Sequence, residues 1–294
     1  MVKRALVLSG GASRGAYQVG ALKALIETGH TWTSIHGISV GSLNAAWLTS
    51  HSVCKDYDIA GLIQLWSNIS QSEDMIKPWS NIRFFNYLMS IWKGSLNSHK
   101  NLKAIIECNI KAESIHSSNI KLTVGCCSMN DGHYLAVAGN NPHIIDFVLA
   151  SSMLPVVFNP IIIKNEKWVD GGIRHQIPIV EALAERPAEI DIILTRNPIA
   201  SYDIKIEADM TKLRSAPRMA LRASEIMNDQ IYQADFNTAL RAARTVQNVN
   251  FSLYLPEGVS SIKDSLVFNP ALIKETIQLG YEETMKVLAK AKGQ

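Results

Sequence analysis

Ile35-His36-Gly37-Ile38-Ser39-Val40-Gly41-Ser42-Leu43-Asn44-Ala45-Ala46-Trp47 reads as a buried strand that turns sharply into a buried helix. Gly37-x-Ser39-x-Gly41 has the spacing of a nucleophile elbow, a strained turn that lifts one serine out at its tip. Residues two before and two after such a serine must be almost free of side chain, and glycine supplies that. Leu43 to Leu48 is rich in Ala and Leu, which favour helix. A helix starting there aims its first N–H groups and the positive end of its dipole at Ser39, which favours an oxyanion. A short G-x-S-x-G also arises by chance in Gly/Ser turns, so its meaning depends on the rest of the chain.

Upstream, Arg4-Ala-Leu-Val-Leu-Ser9 is a short apolar run of the kind a buried parallel strand needs. Gly10-Gly11-Ala12-Ser13-Arg14-Gly15 follows. Ala16 to Thr28 then carries Val19, Leu22, Leu25 and Ile26 on one helical face, with Gly29 as its cap. Strand, glycine loop, helix and the strand at Ile35–Ile38 make a βαβ unit. Both loops therefore come to the carboxyl edge of one sheet, where open α/β folds place their sites. A nucleotide loop would need G-x-G-x-x-G or a Walker lysine, and neither is present. A loop offering backbone N–H donors beside Ser39 needs only Gly10, Gly11 and Ala12, and that reading gives two adjacent loops one task.

With 294 residues, 47% hydrophobic and 19% charged, the chain has material for a substantial core. A net charge of +3 and a pI near 8.6, without any block of Lys and Arg, argue against nucleic acid and suit a weak preference for anionic surfaces, membranes included. Cys54, Cys108, Cys126 and Cys127 match no zinc spacing and read as buried, reduced thiols of a cytoplasmic protein. Met1 to Leu8 has no signal-peptide core, and no run approaches a membrane span.

Residues 59–108 read as a helical insertion, with Leu62, Ile63, Leu65, Trp66 and Ile69 at helical spacing. Further into it, Trp79, Phe84, Phe85 and Trp92 crowd beside Lys77, Arg83 and Lys93. That composition suits either an interfacial cap in contact with lipid or a helix that covers the sheet. Lys121–Ser128 and His133–Ala138 form a hairpin pattern around Asn130-Asp131-Gly132. A helix over Pro142–Leu149 leads into Ala150-Ser-Ser-Met-Leu-Pro155, which bends into Phe158-Asn159-Pro160. Lys167-Trp168-Val169-Asp170-Gly171-Gly172 then reads as a short strand ending in a carboxylate on a glycine turn. Helices over Pro178–Glu185, Ala216–Val246 and Leu272–Ala291 alternate with strands over Glu189–Thr195 and Val249–Leu255. No repeat or linker divides the chain, so 1–294 reads as one domain.

A serine hydroxyl becomes a nucleophile only when something takes its proton. Of the eight histidines only His36 and His175 fall near the argued edge, and none follows His175. The late histidine of an α/β-hydrolase triad is missing. Either the triad is absent, or Asp170 works alone as the base. Asp131, also followed by glycine, is the alternative, and the strand-end placement of Asp170 after Trp168-Val169 favours Asp170.

Taken together these motifs resemble the patatin-like phospholipases. Leu6-Val-Leu-Ser-Gly-Gly-Ala-Ser-Arg-Gly-Ala-Tyr-Gln-Val-Gly20, the Ser39 elbow, Ala150–Pro155 with Phe158 and Pro160, and Asp170-Gly-Gly occur in the family's order across residues 6 to 172. Phe268-Asn-Pro270 to Gly280-Tyr281 is similar to the family's tail. The resemblance implies an α/β three-layer sandwich with a mainly parallel central sheet. It implies a dyad of Ser39 as nucleophile and Asp170 as base. It also implies an oxyanion hole from the backbone of Gly10, Gly11 and Ala12, shaped by Arg14, with Gly15, Gly37, Gly41, Gly171 and Gly172 as the motif glycines. The implied activity is hydrolysis of fatty-acyl esters of phospholipids or lysophospholipids through an acyl-enzyme, with no metal or cofactor and with peripheral membrane contact. An acyltransferase using the same acyl-enzyme and a non-catalytic lipid-binding protein of the same fold are the alternatives. Two departures stand out. Ala12 occupies the place of a usual third glycine, and Gln176 stands where the family tends to have Asn after the Asp-Gly-Gly turn.

Overall fold

The computed structural model describes residues 2–53, 56–69, 77–78, 95, 97–199, 216–257 and 266–292. Its strands are β1 (Arg4–Leu8), β2 (Ser34–Ile38), β3 (Ser52–Val53), β4 (Asp56–Tyr57), β5 (Lys77–Pro78), β6 (Asn97–Ser98), β7 (Lys121–Ser128), β8 (Tyr134–Ala138), β9 (Ile161–Ile163), β10 (Glu166–Asp170), β11 (Glu189–Ile193) and β12 (Asn250–Tyr254). The helices are α1 (Gly15–Glu27), α2 (Val40–Ser50), α3 (Ile59–Ser67), α4 (Lys100–Asn109), α5 (Ala112–Ser117), α6 (Ile144–Ala150), α7 (Ile179–Ala184), α8 (Ala216–Thr245) and α9 (Pro270–Lys292). One eight-stranded sheet runs β12-β11-β1-β2-β7-β10-β9, with β8 also on β7. The first five of these strands are mutually parallel. β8 and β10 are antiparallel to β7, and β9 is antiparallel to β10.

Strand alternation sorts β1 into two cores, as a sheet covered on both faces requires. Leu6 and Leu8 face the core built with α1, α2, α3 and α9. Ala5 and Val7 face the one built with α7 and α8 through Ile179, Ala182, Tyr232 and Phe236. This is a mixed α/β architecture with helices on both sides of a mainly parallel sheet, as the sequence implies.

Three sequence expectations change on contact with the structure. α1 is more than a one-faced amphipathic helix: every residue from Gly15 to Leu22 is buried, along with Ala24 and Leu25. The reason is α9, which packs closely along α1 and shares its core. The two helices cross so closely that a Cβ at Gly20 would strike the Ile277 carbonyl, and one at Gly280 the Tyr17 carbonyl. Secondly, Ile161–Ile163 forms a strand paired to β10, although its proline-rich approach reads only as a bend. Thirdly, Cys108 is exposed rather than buried, while Cys126 and Cys127 are buried free thiols and Cys54 lies outside the described residues.

Within the expected insertion the structure describes α3, the β5–β6 pair and α4. Trp79, Phe84, Phe85 and Trp92 lie outside the described residues. Among the described residues no helix is long and apolar enough to cross a membrane.

The α1–α9 crossing yields a stability prediction. Alanine has better helix propensity than glycine by about 1 kcal/mol, but a methyl at Gly280 meets backbone that cannot rotate away. Overpacking costs typically about 1–3 kcal/mol, so Gly280→Ala should lower the thermal midpoint. An unchanged or raised midpoint in calorimetry would show that the crossing is loose.

Candidate active site

The site begins where β7 changes neighbours. Along Lys121–Gly125 it pairs with β2, and along Cys126–Ser128 it pairs with β10, while β8 stays on its other side from Thr123 to Cys127. β2 and β10 therefore lie end to end on one edge of β7. β2 stops at Ile38, opposite Gly125, and β10 arrives from the other direction with Asp170 opposite Cys126. Ser39 and Asp170, far apart in sequence, meet at this junction.

Ser39 sits at φ 56, in the left-handed region that a residue with a side chain adopts only under constraint. Three contacts impose it. The Ser39 N–H donates to Ser151 Oγ at 2.9 Å, and the Ser151 hydroxyl in turn donates to the Gly125 carbonyl at 2.7 Å. The Ser42 hydroxyl donates to the Ser39 carbonyl at 2.6 Å. Gly37 and Gly41 allow the turn its tightness: a Cβ on Gly37 would meet the Gly41 carbonyl, and one on Gly41 the Leu8 carbonyl. Ser151 is fully buried, and sequence reading placed it in a motif without finding its task.

Asp170 is only 4% exposed. Its Oδ1 accepts from the Gly172 N–H at 2.7 Å, and the Ser39 hydroxyl lies close enough to favour the ionised carboxylate. Burial raises its pKa to about 7, and these two donors hold it from going higher. Behind it the Cys126 thiol is pushed well up by burial and by the charge of Asp170, so it stays protonated. Gly171 packs over the Gly125 carbonyl, and Gly15 opens α1 against Val40, the residue after Ser39.

The glycine loop from Gly10 to Arg14 lies at the same edge. Its Gly10 N–H is committed to the Gln176 carbonyl at 3.1 Å, and the Gly10 carbonyl accepts from Thr195 Oγ1 at 2.5 Å. Gly10 is thus an anchor of the loop, and the expectation that it donates to an oxyanion does not fit these bonds. Gly11, at φ 155, and Ala12, at φ 49, have N–H groups without a partner among the described residues. Arg14 occupies the N-cap position of α1 without a side-chain capping bond. A buried amide network ties the loop to the elbow helix: Gln18 donates to the Ser9 carbonyl at 2.8 Å, Asn44 to Gln18 at 2.9 Å, and Trp66 to Asn44 at 3.0 Å.

The Gln176 departure proves to be supportive. Its side-chain amide donates to the Gly172 carbonyl at 2.8 Å, so it braces the turn that carries Asp170. Sequence reading missed Asp235 of α8, whose carboxylate accepts the Gln176 and Ile177 N–H groups at 2.5 and 3.1 Å. His175 faces the same carboxylate at 3.4 Å, which raises its pKa. His36 is buried inside β2, bonded to Ser34 and held neutral by burial, with its pKa lowered to about 4. Asp131 stands exposed at the hairpin tip, bonded to His133 at 2.6 Å, and is no base for Ser39. Asp131, His133 and Glu166 are close enough together to hold a cation. Their own hydrogen bonds, including Ser128 to Glu166 at 2.6 Å, already account for the cluster.

An apolar cavity of about 370 Å³ opens between α2, α3 and α4. Leu43, one turn from Ser39, lines it together with Leu62, Leu65, Trp66, Leu102 and Ile106.

Comparisons with known proteins identify the family. A family model described as patatin-like phospholipase matches residues 6–183. A patatin-like phospholipase domain-containing protein of Coccidioides immitis is 24% identical over 220 residues, covering 66% of this chain and 28% of its own. One from Cryptococcus neoformans is 25% identical over 224 residues, covering 66% of this chain and 24% of its own. The chain thus spans about a quarter of the length of these curated relatives. The crystal structure of VipD from Legionella pneumophila aligns over 98% of this chain and 67% of that one, at 17% identity and a TM-score of 0.48. On the match over residues 6–183, the chain belongs to the patatin-like phospholipase family.

Proposed function

We propose that this protein is a lipid acyl hydrolase that cleaves fatty-acyl esters of phospholipids or lysophospholipids with a Ser39–Asp170 dyad. The observation that carries the reading is the pairing of a strained, half-buried Ser39 with a desolvated carboxylate, with no histidine ring bonded to either among the described residues. The Ser39 hydroxyl attacks the ester carbonyl carbon as its proton passes to Asp170. The N–H groups of Gly11 and Ala12 and the start of α2 receive the oxyanion. Collapse expels the alcohol, which takes the proton from Asp170 and leaves Ser39 acylated. Water then attacks the acyl-enzyme, giving its proton to Asp170, and fatty acid leaves as Ser39 recovers its hydrogen. The cavity beside Leu43 is the seat for the acyl chain, where each buried CH₂ contributes roughly 0.8 kcal/mol. The expected contact of the protein with a membrane surface belongs to this same reading.

Three outcomes test it. Ser39→Ala should remove ester hydrolysis and fluorophosphonate labelling while the protein stays folded; turnover retained in the folded variant sinks the assignment.

The acid limb follows from Asp170. The base works ionised, and its pKa lies near 7, so kcat/KM should rise with pH through about that value. A folded pKa above the unfolded 3.8 means that folded protein holds the extra proton between 3.8 and about 7, and that its stability declines as pH rises through that window. Asp170→Asn escapes that decline. It should lose about 10²-fold or more in activity and yet melt higher than the parent at pH 8. A variant that melts lower there contradicts the desolvated-carboxylate account.

Ala12 carries the third test. A left-handed backbone costs a non-glycine residue roughly 1–2 kcal/mol, and Ala12 holds φ 49. Ala12→Gly should gain up to about 1 kcal/mol of stability, less than the strain because glycine is more flexible unfolded, and should keep its activity. Loss of hydrolysis at intact stability would mean that the alanine methyl, rather than its N–H, serves the reaction.

A further inference from the structure

We propose that Asp235, acting through Gln176, is a positioning residue that sets the base and the oxyanion loop in register with one another. The inference rests on the Ser39–Asp170 reading and adds to it a part of the chain beyond the family-matched residues 6–183.

The segment from Gly171 to Ile177 touches both halves of the site. At one end the Gly172 N–H holds Asp170. In the middle the Gln176 amide holds the Gly172 carbonyl at 2.8 Å, and the Gln176 carbonyl takes the Gly10 N–H at 3.1 Å. A displacement of Gln176 therefore moves the carboxylate and the donor loop together. What fixes Gln176 from behind is Asp235, through the Gln176 and Ile177 N–H groups on Oδ2 and His175 near Oδ1.

α8 is a rigid mount for this carboxylate. Tyr232 and Phe236, on either side of Asp235, are 1% and 4% exposed and belong to the core under β1 and β11. Tyr232 also lies 3.4 Å from Ser9 Oγ, the residue before the glycine loop. The chemistry asks for a carboxylate in particular. Two backbone N–H groups and an imidazole N–H converge there, and an ionised carboxylate is an acceptor at every lone pair. Bonds to a charged acceptor are also about twice as strong as neutral ones. Asparagine would turn an NH₂ group toward one of those three donors.

The test uses the full chain with Asp235→Ala, Asp235→Asn and Gln176→Met. Fluorophosphonate titration counts competent sites, so that kcat for a short soluble ester is expressed per labelled Ser39 and partial unfolding drops out. A misplacement of about 1 Å can cost up to about 10²-fold. We expect kcat per site to fall about tenfold or more in Asp235→Ala and Gln176→Met, with KM little changed and Asp235→Asn intermediate. The acid limb should also move to higher pH, because Asp170 loses the Gly172 N–H that holds its pKa down. Should Asp235→Ala fail to fold, Gln176→Met and Asp235→Asn carry the same readouts. Variants that keep the parental kcat per site and the parental limb overturn the proposal. A parent chain that neither labels at Ser39 nor hydrolyses the ester overturns the dyad reading, and this inference with it.

Discussion

One strand longer than its neighbour makes this site possible. β7 runs from Lys121 to Ser128, whereas β2 pairs with it only as far as Gly125. The three residues left over would expose unpaired backbone groups in a buried place, which is costly. β10 fills that gap from the opposite direction, and its last residue is Asp170. The hydrogen-bonding demand of β7 thus brings a carboxylate to the tip of the elbow. The same junction places Gly125, whose carbonyl anchors Ser151, under the strained Ser39. Without this exchange of partners, neither the Asp170 carboxylate nor the elbow's clamp has a fixed position.

The electrostatic character of the junction follows from what surrounds it. Burial raises the proton affinity of Asp170 to near neutrality, the Gly172 N–H and the nearby Ser39 hydroxyl hold it from going higher, and no other ionisable partner is involved. A carboxylate in water is too weak a base to take a serine proton efficiently, and desolvation brings it closer to the task. Charge at the far end of the sheet is handled differently. There Arg4 pairs with Glu189 and lies 3.8 Å from Asp191, whose other partner is the Trp32 indole. Those groups satisfy one another near the amino ends of the strands, away from the Ser39–Asp170 junction.

What was legible in the sequence was local. Gly37-x-Ser39-x-Gly41 announces its turn because the steric demand falls within five residues, and Asp170 is recognisable as a strand-end residue before two glycines. The strand and helix pattern of the βαβ unit follows from short apolar runs as well. What was hidden depends on contacts across the chain. That Ser151 accepts the Ser39 N–H, or that Asp235 accepts from Gln176, has no periodic signature, since a single polar residue in a helix looks the same whether it is solvated or bonded. The role of Gly10 was misread for the same reason: a glycine says that a backbone is accessible, and the Gln176 carbonyl had already taken its N–H. α1 looked one-sided because its second covering layer comes from residues 270–292.

The Gly20–Gly280 crossing bears on how the molecule comes into being during synthesis. The glycine loop and the elbow are made within the first fifty residues, but α1, which lies between them, gains its outer cover only when α9 has emerged. Until then a helix apolar on nearly every side has one face in water, an exposure that drives aggregation or capture by chaperones. The nascent chain therefore carries the Ser39 elbow in an unfinished shell. The step that encloses it waits until residues 270–292 have been made.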